Sequence, residues 1–113
     1  MGALQQTVIV AGSIVVQGQM WTRASWLFDA VVSQLAMCAR PAALRERLAE
    51  IVRENLGYLS IDELEPADRS ELLWILGDNF PDSFNAAYPN MDPQHRPGAL
   101  TSVSELVQLS QKG

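Results

Sequence analysis

A mainly helical domain of the small α+β kind, with an N-terminal strand or hairpin packed on about four helices, is what the 113 residues of this chain predict. Three observations carry that expectation. Residues 7–17 hold two β-branched runs, Val8-Ile9-Val10 and Ile14-Val15-Val16, which favour strand. Residues 20–56 then repeat apolar positions at helical spacing, with Gly18, Pro41 and Gly57 as punctuation. A hydrophobic content of 48% and a charged content of 19% fit a folded chain of a size that one domain, residues 1–113, can use to build a core without staples.

In the strand region, Ala11-Gly12-Ser13 separates the two β-branched runs and predicts either the turn of a hairpin or a bulge in one longer strand. Such a sheet is undersized and must pack on helices or pair with a second chain. The next element is read as a helix over 20–39. Met20, Ala24, Leu27, Phe28, Val31, Leu35 and Cys38 make its core stripe, and Trp26, Ala30, Ser33 and Met37 make a second one opposite. A helix apolar on two sides is expected to be sandwiched within the chain; otherwise Trp26 and Met37 belong to an interface, where both residue types are enriched.

A helix over 41–56 starts with Pro41 in its first turn and places Gly57 for a left-handed cap. Leu44, Leu48, Ile51 and Val52 form its apolar face. Its charged face is a solvated one, since exposed pairs such as Arg47 with Glu50 contribute only ~0.2–0.5 kcal/mol. Ser60 and Glu63 have capping-box spacing, and Pro66 suits the first turn of a helix over 66–76. Residues 78–100, with Pro81, Pro89, Pro93 and Pro97, predict a loop in which Phe80, Phe84 and Tyr88, recurring every four residues, line one side of a brief helical turn and pin it to the core. Ser102 and Glu105 repeat the capping-box spacing and open a final helix over 102–111.

Charge is concentrated rather than spread. Residues 62–82 set Asp62, Glu63, Glu65, Asp68, Glu71, Asp78 and Asp82 against the single cation Arg69, a net −6 in a chain whose total is −5. The apolar run Leu72-Leu73-Trp74-Ile75-Leu76 lies inside this segment, and its periodicity turns Trp74 away from the Leu72/Leu76 face, toward Glu71 and Asp78, as an exposed anchor; the alternative is a run buried all round. Carboxylates around an aromatic side chain suit docking on a basic protein better than chemistry.

Catalytic patterns are missing. His95 is the only histidine and sits in a loop, Cys38 falls on a core stripe, and the acids lack the alternating spacing of a calcium loop. The sequence has no phosphate-binding glycine loop, nucleophile elbow or dinucleotide fingerprint. No cofactor and no metal are expected. One cysteine and no basic leader or long apolar run suggest a cytoplasmic chain without a membrane span, and the acidic balance argues against nucleic acid.

The sequence therefore predicts a small acidic protein-binding module that blocks a basic partner, in the style of immunity proteins, antitoxins and inhibitors. Its site is Asp62, Glu63, Glu65, Asp68, Glu71, Trp74, Asp78 and Asp82. The alternative is a homodimeric assembly module using Val8, Val10, Ile14 and Val16 of the strand or Trp26, Ala30 and Met37 of the helix. An enzyme is the third reading.

Overall fold

Among the described residues, a three-stranded sheet at the N-terminal side packs against five helices. The computed structural model describes residues 11–112, so Val8, Val10 and the strand expectation for 7–10 lie outside the described residues. Strands β1 (Ala11–Val16) and β2 (Gln19–Ala24) form an antiparallel hairpin, followed by α1 (Ser25–Cys38) and α2 (Ala42–Arg53). Strand β3 (Tyr58–Ser60) returns parallel to β1, giving the order β2-β1-β3, and α3 (Pro66–Gly77), α4 (Phe80–Ala87) and α5 (Arg96–Ser110) complete the fold.

The hairpin corrects two expectations. Its turn is Gln17-Gly18, both left-handed with φ of 51° and 74°, the geometry of a type I′ turn. Gly12 is no turn: it lies within β1, where a Cβ would come 2.2 Å from Cγ of Phe28, so its bareness lets α1 approach the sheet. Residues 19–24, expected as the start of a helix, form β2. Trp21 is 1% exposed and its indole N–H donates to the Ser102 carbonyl at 2.9 Å, whereas Met20 and Ala24, assigned above to the core stripe, are exposed. Burying an indole with its N–H satisfied overrides the weak helical pattern.

From Leu27 onward α1 behaves as its periodicity requires, with Leu27, Phe28, Val31 and Leu35 buried. Its second stripe is not sandwiched: Trp26 and Met37 are exposed and Ala30 is partly covered. Helix α2 ends earlier than Gly57. Asn55 takes the left-handed conformation, its N–H donates to the Val52 carbonyl and the Leu56 N–H to the Ile51 carbonyl, which is the Schellman arrangement.

The loop expected over 78–100 contains α4 and the start of α5. Phe80 and Phe84 of α4 are buried, and Tyr88 stacks beside Phe84 with ring centroids 5.0 Å apart. Helix α5 begins at Arg96 with Pro97 in its first turn, so Ser102 and Glu105 are mid-helix residues rather than a capping box. The Arg96 guanidinium donates to the carbonyls of Tyr88, Pro89 and Met91, holding the α4–α5 connection in place of regular structure. The buried residues of sheet and helices form one cluster, and no helix of the described residues is long and apolar enough to cross a membrane.

Candidate functional site

The acidic segment divides by what each carboxylate touches. Asp62, between β3 and α3, accepts the backbone N–H groups of Gln17 and Gly18, one on each oxygen, both at 2.8 Å. It closes the hairpin turn, whose exposed amides no ladder partner reaches. Beside it the expected Ser60/Glu63 box reduces to a turn, in which the Glu63 N–H donates to the Ser60 carbonyl.

Glu71 is also committed within the chain. It accepts the Arg40 backbone N–H at 3.0 Å and the Arg40 guanidinium through Nε at 3.3 Å and Nη2 at 3.0 Å. These bonds to Arg40 hold its carboxyl below the usual glutamate range and raise the Arg40 pKa. The same guanidinium carbon lies 5.4 Å from the Trp74 ring centroid, a cation–π contact. Arg40 thus clasps the extended α1–α2 connection onto α3. No local signal marks that link, because its partners are separated by 31 residues.

Trp74 is 58% exposed even with Arg40 against it, while Leu72, Ile75 and Leu76 of the same helix are buried. Asp78 lies one helical turn beyond Trp74 on the same side, and Asp68 about a third of a turn round the helix. Glu63 and Glu65 precede the helix, Asp68 lies in its first turn, and Asp82 lies in the first turn of α4. Among the described residues none of Glu63, Glu65, Asp68, Asp78 or Asp82 makes an ion pair. The eight expected residues are therefore not one patch: Glu63, Glu65 and Asp68 gather toward the α3 N-terminus, Trp74 and Asp78 toward its other end.

A second exposed aromatic, Trp26, stands between two shallow grooves. One, of about 430 Å³, is lined by Trp26, Ala30, Tyr88 and Met91; the other, of about 340 Å³, by Arg23, Trp26, His95 and Ser102. His95 tilts against the indole at 5.8 Å. Tyr88 donates its hydroxyl to the Ala30 carbonyl at 2.9 Å, and burial pushes its pKa up, as burial does for the Asp29 carboxyl. Of the residues considered for a dimer, Ile14 and Val16 are core positions at 0% exposure with no surface to offer, whereas Trp26 and Met37 are open.

Among the described residues, neither His95 nor Cys38 has a side-chain hydrogen bond to an acid or base. Cys38 accepts a weak hydrogen bond from Gln34 Nε2 at 3.5 Å, and its helix position holds no adjacent base. Among the described residues no group of three His, Cys, Asp or Glu side chains is gathered to hold a metal ion.

The chain matches no protein-family model, no curated protein and no solved structure. Any functional reading therefore stands on the geometry alone, and the geometry supplies an exposed indole beside uncommitted carboxylates on a rigid helix.

Proposed function

We propose that this chain is a small protein-binding module that engages a basic partner through the outer side of α3 and blocks it, in the manner of an immunity protein, antitoxin or inhibitor. The observation that carries the reading is Trp74, a large indole left 58% exposed on a helix whose other face is fully committed to the core. Aromatic anchors of this kind supply much of the affinity of an interface, and surrounding carboxylates speed encounter and set register. The uncommitted carboxylates are Glu63, Glu65, Asp68, Asp78 and Asp82, of which Asp78 lies one helical turn from the indole; Asp62 and Glu71 are instead committed within the chain, to the hairpin turn and to Arg40. Arg40 supports the surface by fixing the indole from one side. The acidic rim disfavours nucleic acid as the partner, and the lone Cys38 suits a reducing compartment such as the cytoplasm.

The test is affinity capture from the native lysate at low and high salt, with wild type and a Trp74→Ala/Asp78→Lys variant of verified fold. Wild type should retain a basic protein, less of it at high salt, and the variant should not. With the captured protein purified, Trp74→Ala should weaken binding by about 2 kcal/mol, roughly thirtyfold in Kd. Equal retention by both proteins would remove the assignment.

A further inference from the structure

Among the described residues, strand β2 is an edge of the sheet. Its two-residue turn makes Val16 and Gln19 the first hydrogen-bonded pair, so Gln19, Trp21 and Arg23 bond to β1 and the backbone groups of Met20, Thr22 and Ala24 point the other way. The far side of β1 agrees with this parity: the Ser13 N–H donates to Gly57, and the Val15 carbonyl accepts from Ile61. Met20, Thr22 and Ala24 are all exposed. Among the described residues, the Thr22 carbonyl accepts from Nη1 of Arg23 at 2.7 Å and the Ala24 carbonyl, that of the α1 N-cap, takes the first helical bond, while the outward N–H groups have no partner. A groove of about 280 Å³ runs beside the edge toward α5, lined by Met20, Trp21, Arg23, Glu105 and Leu109. The strand has no proline, lysine or bulge, and its one charge, Arg23, is paired with Glu105.

We propose that β2 pairs antiparallel with β2 of a second copy about a twofold axis at Thr22, joining two three-stranded sheets into one. The strand is complementary to itself in that register. Thr22 meets Thr22 and Met20 meets Ala24, all exposed, while the buried Trp21 and the paired Arg23 stay with α5 of their own copy. Every outward N–H and C=O of Met20, Thr22 and Ala24 finds a partner, and Arg23 keeps Ser102 and Glu105 while Nη1 releases the Thr22 carbonyl. Charge selects the same occupant. In a chain of net −5, β2 contains no acid and its one cation is paired with Glu105, so two copies meet here without the repulsion that any approach through α3 would bring.

The experiment is analytical ultracentrifugation of the full chain over a concentration series, with Thr22→Pro, Thr22→Val and, in a Cys38→Ser background, Thr22→Cys. Wild type and Thr22→Val should dimerise alike. Thr22→Pro, which removes an outward N–H and leaves the β1 ladder intact, should weaken the dimer at least about tenfold. Oxidised Thr22→Cys should run as a covalent dimer, because directly opposed residues of a hydrogen-bonded pair have Cα atoms about 5.5 Å apart, within disulfide reach. A monomeric wild type, a Thr22→Pro dimer of wild-type affinity, or no covalent dimer from Thr22→Cys would each overturn the pairing. If Thr22→Pro does not fold, the cysteine variant decides.

Discussion

Asp62 and Asp78 belong to one acidic stretch and sit in opposite situations. Both oxygens of Asp62 are occupied by the amides of the Gln17-Gly18 turn, 45 and 44 residues away in the chain, whereas Asp78 is exposed and pairs with no cation among the described residues. Glu71 sides with Asp62, clasped by Arg40, and Glu63, Glu65 and Asp82 side with Asp78. A run of like charge is thus not one device. Some of its members neutralise backbone donors and cations that the fold itself creates, and what remains uncommitted is the surface that a partner can use.

The sharpest way to break that contrast is Asp62→Ala. It strips a carboxylate from two turn amides and should cost about 2 kcal/mol in urea denaturation with an unchanged m-value; a cost near zero would place Asp62 with the rim. Glu71→Gln should follow with a smaller loss and a signature in pH. Because Arg40 holds the folded Glu71 carboxyl below its unfolded value, the contribution is present above the ordinary glutamate range and lost as pH falls through the lower folded value. The variant should therefore show a shallower loss of stability in acid than wild type does, and parallel curves would contradict the clasp. Smallest of all, Glu63→Gln and Asp78→Asn should move stability by no more than about 0.5 kcal/mol, since they remove no contact in the protomer.

How far the sequence reveals this molecule differs by element. The helices α1 from Leu27, α2 and α3 are legible because Leu27, Phe28, Val31 and Leu35, then Leu44, Leu48 and Ile51, then Leu72 and Leu76 recur at helical spacing on the side that the core buries. Strand β2 is not, since its turn places Gln rather than Asn or Asp ahead of Gly18, and Met20 and Ala24 happen to extend the α1 periodicity backward. Three-residue β3 is too short to register as a pattern and exists because β1 offers it a parallel partner. In the proline-rich stretch the spacing of Phe80, Phe84 and Tyr88 reveals the pinning and a helical turn, but not the extent of α4 or the early start of α5, because Pro81 and Pro97 initiate these helices rather than interrupt a loop.

The candidate surface shows the same division. The helical wheel places Trp74 opposite Leu72 and Leu76 but leaves open whether the whole apolar run is buried; the fold, which covers only the Leu72/Leu76 side, leaves the indole 58% exposed. Which carboxylates are tied down does not follow from any local pattern: the partners of Asp62 and Glu71 lie on the hairpin turn and the α1–α2 connection, brought near only by the tertiary fold.

The most direct measurement is the affinity of the captured basic protein for two variants side by side, Asp78→Lys on the rim and Glu71→Gln behind it, each checked for fold. The division predicts that Asp78→Lys weakens binding by at least about tenfold and flattens its salt dependence, while Glu71→Gln binds within about threefold of wild type. Equal losses in both, or wild-type affinity for Asp78→Lys, would contradict it.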